Sequence, residues 1–333
     1  MKHKKLMRDT ETFVGTAKKC NSPLICDKRS EKKNPVIKFL QNVQPTYPIL
    51  DFSATAEQGV RRTMEDQYVM LGDGIPFFAI YDGHGGTQCA EYLRDHLHKL
   101  ILGHPEIMSS PEKAICEGIT KADQQFLQRC KEENIESGSV CVVALFINGD
   151  LVVGNVGDCE AVLCRRGSLR ILTKVHNPNR NAAELERVAS AGGRLFNKRL
   201  GHPKFNPRLC SLAVSRALGD AGFKFDDYTG GMPSGLISDA DTFRVTLEPE
   251  DDFLLIGSDG LWDVMSYEEA TECCYELLKR GKSPKCITDT LVSRALSKGT
   301  TDNVIVVFVR CSLTPSSTIP DYLTHSSIKN RII

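Results

Sequence analysis

The sequence has no excess charge of either sign, no long apolar run and no paired-cysteine motif. Lys plus Arg and Asp plus Glu each number 42 among 333 residues, so the net charge is zero, and no global field favours nucleic acid or a membrane surface. The 13 cysteines include no C-x-x-C pair, which argues against a disulfide framework or a zinc ribbon. No apolar run reaches the roughly 18 residues of a spanning helix. We therefore expect a cytoplasmic and/or nuclear protein without membrane or nucleic-acid partners.

The composition divides the chain into one domain and two tails. Residues 1–48 are lysine-rich and poor in aromatic residues, which predicts a basic flexible tail. Their first letters, MKHKKLMRDTETF, lack the apolar segment of a secretory signal. Residues 49–312 show no comparable change, so we predict a single domain there, and residues 313–333 a Ser/Thr-containing C-terminal tail. We expect the protein to be a monomer.

Hydrophobic spacing predicts both helices and hairpins within this domain. Helical spacing of apolar residues marks Ala90 to Ile101, Ala114 to Cys130, Leu185 to Ala189, Ala270 to Leu278 and residues 284–297. Strand-like runs separated by Gly149-Asp150, Gly157-Asp158 and Arg166-Gly167 predict antiparallel hairpins. The pattern favours an α+β fold in which two sheets pack face to face and helices cover the outside.

One stretch, FFAIYDGHGG at residues 77–86, sets an apolar run directly against Asp82, His84 and three glycines. A short apolar run with aromatic residues indicates a buried strand, and the glycines indicate that it ends there. Glycine also lets the backbone come close to whatever the carboxylate holds. A plain polar turn explains this stretch equally well when it is taken alone.

The same arrangement recurs along the chain. Asp259 follows the apolar run of DDFLLIGSDG, Asp158 follows that of LVVGNVGD, and Asp302 with Asn303 stands directly before VIVVFV. Glu65 and Asp66 add a fifth acidic segment in RRTMEDQ. Six clustered carboxylates would repel one another and lose hydration, so they require a cation.

The residue types indicate which cation and which chemistry. Carboxylate oxygens without cysteine or several histidines match Mg²⁺ or Mn²⁺. A water held between two such ions would be a hydroxide near neutral pH, which is a nucleophile for phosphorus. Arg61 or Arg62 would bind the phosphate oxygens, and His84 would protonate the leaving oxygen.

Six ordered motifs carry a family resemblance, namely RRTMEDQ, FFAIYDGHGG, GNVGDCEAVL, SLAVSRALGD, LLIGSDGLWDV and GTTDNVIVVFV. Over about residues 52–311 the chain resembles the metal-dependent protein serine/threonine phosphatases of the protein phosphatase 2C class. The resemblance implies a central antiparallel β-sandwich flanked by helices on both faces, in four layers α/β/β/α, with a binuclear metal site at one edge. It implies phosphoprotein substrates.

The resemblance also implies a role for each matched residue. Asp82 would bridge two Mg²⁺ or Mn²⁺ ions, the Gly83 carbonyl and Glu65 would serve one ion, and Asp259 and Asp302 the other. Asp66 and Asn303 would orient ligands or waters, and Asp158 would serve a third, weaker metal. Arg61 would hold the substrate phosphate, His84 would act as the general acid, and the segment after Asp220 would form a flap beside the site.

Three departures from the family pattern affect these expectations. Cys159 and Glu160 stand where the family has Ser-Arg, which exchanges a cation for an anion. Val140 replaces a hydroxyl residue, and Val175 with Asn177 replaces the acid and the lysine of an Asp-His-Lys-Pro element. If Glu160 lies near Asp158, we expect it to repel the substrate phosphate.

Two rival functions remain at this point. The departures motivate a pseudophosphatase that binds phosphoproteins with reduced turnover, and a closed pocket would indicate a small-molecule phosphohydrolase. We predict structural roles for Arg216 as an ion-pair or capping residue and for Trp262, Cys273 and Cys274 as core residues.

Overall fold

The computed structural model describes residues 51–311, and the predicted tails at 1–48 and 313–333 lie outside the described residues. Within this range two antiparallel sheets contain most of the strands. The first sheet has five strands, in the spatial order β1 (Asp51–Glu57), β14 (Val304–Arg310), β13 (Asp251–Gly257), β6 (Glu160–Arg165) and β7 (Ser168–Ile171).

The second sheet contains the strand that ends in the DGHGG turn. Its spatial order is β12 (Asp241–Thr246), β5 (Asp150–Val156), β4 (Gly138–Ile147), β3 (Phe77–His84) and β2 (Gln67–Leu71), with β11 (Leu218–Gly219) also paired to β4. The predicted hairpin from β4 to β5 turns at Asn148 and Gly149, both at positive φ, as such a turn requires.

Side chains alternate between the two faces of each sheet, because successive residues of a strand point to opposite sides. In β3, Phe78 and Ile80 lie in the core between the sheets, whereas Phe77, Ala79 and Tyr81 lie against the helices on the outer face. These β3 side chains are all fully buried. The continuous apolar run in the sequence therefore reflects a strand that is covered on both faces.

Helices cover the outer face of both sheets. The second sheet is covered by α1 (Gln88–Leu102) and α2 (Pro111–Glu133). The first sheet is covered by α7 (Tyr267–Lys279) and α8 (Pro284–Ser297). The predicted four-layer α/β/β/α order is confirmed. None of the helices within residues 51–311 is long and apolar enough to cross a membrane.

Shorter elements complete the described chain. They are α3 (Ala182–Ser190), α4 (Ala221–Lys224), α5 (Asp226–Thr229), α6 (Asp259–Trp262) and a small sheet of β8 (Arg194–Phe196), β9 (Arg199–Gly201) and β10 (Ser211–Leu212). The predicted core positions of Trp262, Cys273 and Cys274 are confirmed, since all three are buried.

The short helix predicted at Leu185 to Ala189 is confirmed as α3. On its buried face Glu184 lies beside Val188, whereas Ala189 is exposed. A buried carboxylate needs cationic partners, and Glu184 has two arginines. Apolar spacing alone could not show this ion pair, which takes the place of an apolar contact on the buried face.

Candidate metal centre

The acidic residues lie at one edge of the sandwich, where strands of both sheets begin or end. Asp158 lies between β5 and β6, Asp259 begins α6 just after β13, and Asp302 precedes β14. Asp82 lies two residues before the end of β3, because strand pairing continues through Gly83 and His84. Gly257 of β13 pairs with the first residue of β6 and with Val306 of β14, which aligns these ends.

The buried carboxylates act on one another electrostatically, as a cluster of like charges does. Burial, followed by the charges of Asp259 and Asp302, raises the pKa of Asp66 to about 8. Burial and the charge of Asp66 hold the pKa of Asp82 well above its usual range. Burial and the charge of Asp82 do the same to the pKa of Asp259. The arrangement is costly for the protein without a cation.

Two carboxylate oxygens of this cluster have no partner within residues 51–311. Asp66 Oδ2 and Asp259 Oδ1 are buried without a hydrogen bond from any described residue, which is uncommon for charged groups. Across residues 51–311, no three His, Cys, Asp or Glu side chains already converge with the spacing of an assembled metal site. The all-oxygen donor set and the orphaned oxygens fit a hard divalent cation such as Mg²⁺ or Mn²⁺.

Glu65 is held beside the DGHGG turn by neighbouring groups. Its carboxylate accepts hydrogen bonds from Thr63 Oγ1 at 2.8 Å and from the Gly86 N–H at 3.2 Å. The Glu65 N–H donates to Asn303 Oδ1 at 2.8 Å. Asn303 Nδ2 donates to the carbonyls of Gln58 at 2.8 Å and Thr63 at 3.0 Å. Asn303 thus fixes the loop that presents Glu65.

The close approach at Gly83 explains why glycine occupies that position. A Cβ atom built on Gly83 would lie 2.5 Å from the Glu65 carbonyl oxygen. Any side chain would therefore push the Glu65 loop away from β3. The sequence indicated only that glycine allows a turn, whereas the fold shows that it lets two acidic segments meet.

Arg61 lies at the mouth of the site and contacts one of the acids. Its Nη2 atom is 2.5 Å from Asp302 Oδ2, and its Nε donates to the Thr301 carbonyl at 3.0 Å. Its side chain is 54% exposed, so its guanidinium faces solvent as well as the acids. Arg62 has no ion pair among the residues that the structure describes.

His84 has a buried partner that the sequence reasoning missed. Its Nε2 atom lies 2.9 Å from both carboxylate oxygens of Asp220. Burial alone lowers the pKa of His84, but the Asp220 charge and hydrogen bond outweigh it, so the pKa is raised. The available signal was the Gly219-Asp220 pair at the end of SLAVSRALGD, which repeats the Gly-Asp pattern of the other acidic segments.

Asp158 borders this cluster, and neighbouring side chains partly compensate its negative charge. Asn177 Nδ2 donates to Asp158 Oδ2 at 3.1 Å. Burial raises the pKa of Asp158, while this hydrogen bond and the charge of Arg180 lower it. Asn177, which stands where the family has lysine, therefore still donates to this acid.

Glu160 has a cationic partner that the sequence did not show. Its side chain is only 1% exposed, and its Oε1 accepts from Arg180 Nη2 at 2.7 Å. The Tyr267 hydroxyl donates to its Oε2. Arg180 Nη1 also lies 3.6 Å from Asp263 Oδ1. The Arg180 guanidinium pairs with Glu160, which counteracts the repulsion of a phosphate that was expected from the sequence.

The other departures from the family pattern are accommodated by packing. Val140 is buried in the core between the sheets, and a Cβ on Gly157 would lie 2.1 Å from Val140 Cγ1. Cys159 is fully buried, and its Sγ lies 4.0 Å from Asp82 Oδ2. Burial keeps the pKa of the Cys159 thiol well above its usual range, so the thiol remains a neutral donor beside the acids.

Arg216 has the structural role that was predicted for it. Its Nη2 lies 2.6 Å from Glu184 Oε1, and its Nη1 lies 3.2 Å from Asp241 Oδ1. Ser215 Oγ donates to Glu184 Oε2 at 2.6 Å. Burial alone raises the pKa of Glu184, but the hydrogen bonds from Arg216, Arg187 and Ser215 lower it to about 2.

This ion pair predicts an acid-dependent stability. Because the folded pKa of Glu184 lies below its ordinary value of 4.5, its contribution is full above pH 4.5 and is lost as pH falls toward 2. We expect Glu184→Gln to lower the free energy of unfolding by about 3 kcal/mol at neutral pH. Urea unfolding at several pH values would measure this. Glu186→Gln, on the exposed side of α3, is the control, and equal acid sensitivity of all three proteins would contradict the prediction.

The fold and the site define a class of protein, namely a four-layer sandwich with a carboxylate centre at one edge. Comparison with known proteins assigns the family. The family model described as "Protein phosphatase 2C" matches residues 50–304. The chain belongs to the protein phosphatase 2C family.

Individual relatives agree with this assignment. "Probable protein phosphatase 2C 71" of Arabidopsis thaliana is 32% identical over 267 residues, which cover 78% of this chain and 55% of that protein. "Probable protein phosphatase 2C 27" of Oryza sativa subsp. japonica is 31% identical over 276 residues, covering 79% and 75%. The chain therefore spans about half of the first relative and three quarters of the second.

Solved structures share the fold. A serine-threonine phosphatase 2C from Toxoplasma gondii has a TM-score of 0.66 at 22% identity, with 80% of this chain and 96% of that chain covered. A structure described as a C. elegans sex determining protein also has a TM-score of 0.66 at 22% identity, with coverage of 87% and 72%.

Proposed function

We propose that this chain hydrolyses phosphoserine and phosphothreonine in proteins by using two Mg²⁺ or Mn²⁺ ions. The observation that carries the proposal is the pair of orphaned oxygens, Asp66 Oδ2 and Asp259 Oδ1, inside a cluster of mutually repelling acids. When bound there, divalent cations would lower the pKa of a water and so supply the nucleophile. Asp82, Asp259, Asp302, Glu65 and the Gly83 carbonyl are the groups that would hold them.

The remaining residues would act on the substrate, on neighbouring metal ligands or on a third ion. Arg61 faces solvent at the mouth of the site, where its guanidinium would bind phosphate oxygens. His84 uses Nε2 toward Asp220, so a protonated ring keeps its Nδ1–H for the leaving oxygen. Asp66 and Asn303 act through their neighbours, since Asn303 fixes the Glu65 loop. Asp158 would serve a third, weaker ion.

The test is a phosphatase assay on the full chain with a phosphothreonine peptide, Mn²⁺ and a chelator control. Manganese binding is measured separately by calorimetry. We expect chelator-sensitive turnover together with binding of Mn²⁺ by the wild-type protein. Binding of Mn²⁺ and of phosphopeptide without turnover would identify the rival, a pseudophosphatase that recognises phosphoproteins.

The contact between His84 and Asp220 predicts that the effect of an Asp220 substitution on kcat depends on the leaving group of the substrate. Without its partner, His84 loses orientation and protonates the leaving oxygen less well, so Asp220→Asn should lower kcat for a phosphothreonine peptide about 100-fold. p-Nitrophenyl phosphate needs little protonation of its leaving group, and its kcat should fall much less. Steady-state kinetics on both substrates would measure the ratio. Asp227→Asn, exposed in α5, is the control, and an equal loss on both substrates would mean that Asp220 is only structural.

A further inference from the structure

One segment beside the site contains basic residues and no acid. Between Glu186 and Asp220 there is no Asp or Glu, although the chain as a whole has zero net charge. The same segment contains Arg187, Arg194, Lys198, Arg199, Lys204, Arg208 and Arg216. Such a local imbalance creates a positive surface in a neutral protein.

Most of these cations have no carboxylate partner among the described residues. Arg187 and Arg216 are engaged with Glu184. By contrast, Lys198, Lys204 and Arg208 are exposed and form no ion pair with any residue in the range 51–311. Phe205 and Leu209 lie among them with 51% and 88% of their surface exposed. We call residues 194–212 the basic loop.

The basic loop is held in shape by internal hydrogen bonds. Arg194 Nη1 donates to the Pro203 carbonyl at 3.0 Å. The backbone N–H groups of Lys204 and Phe205 both donate to His202 Nδ1 at 3.1 Å. Arg199 Nη2 donates to the Ser211 carbonyl at 3.0 Å. The exposed cations therefore lie on a loop whose conformation is held by hydrogen bonds before binding, which lowers the entropy cost of binding.

The same loop is attached next to the candidate general acid. His202 Nε2 donates to the Gly222 carbonyl at 2.9 Å, and its ring packs against Phe223. Gly222 is two residues from Asp220, which holds His84. A substrate that presents its phosphate to His84 would place its flanking residues near the basic loop.

We propose that the basic loop binds an acidic segment next to the phosphorylated residue of a protein substrate, and this rests on the proposed function. Lys198, Lys204 and Arg208 contact its carboxylates or further phosphates, and Phe205 and Leu209 contact its apolar side chains. A peptide is favoured over nucleic acid because few cations are involved and they adjoin the phosphate site. The surface thereby selects substrates by the charge around their phosphorylated residue.

The experiment compares two phosphothreonine peptides that differ only in acidic or neutral flanking residues. The variant Lys198→Asn, Lys204→Gln, Arg208→Gln removes three charges that form no side-chain hydrogen bond with a described residue. Asparagine suits position 198 because its φ is positive. Lys279→Gln, Arg280→Gln, Lys282→Gln removes three exposed charges at the end of α7 and is the matched control.

We expect the wild-type and control proteins to prefer the acidic peptide, and the loop variant to lose about ten-fold in kcat/KM for it. The neutral peptide and p-nitrophenyl phosphate should be unaffected, and the preference should shrink as salt is raised. Equal effects of the loop variant on both peptides, or no preference in the wild-type protein, would overturn the proposal.

A binding measurement separates this proposal from the proposed function. Fluorescence anisotropy of the same labelled peptides with full-length protein reports the loop contact even if turnover is absent. Weaker binding of only the acidic peptide to the loop variant would support the loop proposal without hydrolysis. A single-stranded oligonucleotide or anionic vesicles that bind more tightly than the acidic peptide, with the same loss in the variant, would assign the surface to another partner and overturn it.

Discussion

Asp82→Asn is expected to abolish catalysis and, in the absence of metal, to stabilise the fold. A lost ligand charge removes several kcal/mol of transition-state stabilisation, so turnover of a phosphopeptide should fall about 1,000-fold or more. The same change removes the buried carboxylate of Asp82, whose own pKa is held well above its usual range, and the charge that helps to raise the pKa of Asp259. Urea unfolding with a chelator should therefore show a higher free energy of unfolding for the variant than for the wild-type protein.

We expect bound metal to reverse this difference in the free energy of unfolding, and pH to change its size. Mn²⁺ should stabilise the wild-type protein more than Asp82→Asn, because a ligand stabilises only the state that binds it. The folded pKa of Asp82 lies above its ordinary value of 3.8. The contribution of Asp82 to the stability of the wild-type protein therefore declines as pH rises. In the presence of a chelator, the stability of the variant relative to the wild-type protein should increase with pH. Asp73→Asn, at an exposed position, is the control. A turnover of Asp82→Asn equal to that of the wild-type protein would contradict the metal-dependent mechanism.

Glu160→Arg is expected to destabilise the protein rather than to improve catalysis. The new guanidinium would be buried beside Arg180 in place of the anion that pairs with it. Breaking a buried ion pair costs about 3–5 kcal/mol, and like charges add to this. The double exchange Glu160→Arg with Arg180→Glu should restore part of the loss, because it re-forms the pair in the opposite sense. Thermal and urea unfolding would measure both.

The kinetics of the same variants test the earlier electrostatic interpretation. Glu272→Arg, exposed on α7, controls for the change of net charge. The prediction would be contradicted if Glu160→Arg were as stable as the wild-type protein and had a higher kcat/KM for a phosphopeptide at low salt. That result would mean that Glu160 faces the substrate and is not paired with Arg180 in the interior.

The sequence predicted much of the fold because local patterns determine strands and helices directly. The continuous apolar run before Asp82 became β3, which is buried on both faces. The helical spacing that predicted residues 284–297 matches α8 in full. The spacing predicted α3 but not its buried Glu184, which is paired with two arginines. One of these arginines is far away in sequence, so no local pattern could show it.

The sequence by itself determined the family, the acidic segments and their places beside strands, because motif order and short apolar runs are local properties. Only the tertiary structure decided which side chains meet. Arg180 and Glu160 are 20 residues apart, and His84 and Asp220 are 136 apart. His84 and Asp220 meet because β3 and β11 both pair with β4, and Arg180 reaches Glu160 of β6 from the segment before α3. Charge pairing and proton donors act over a few ångström, and those distances exist only after the chain has folded.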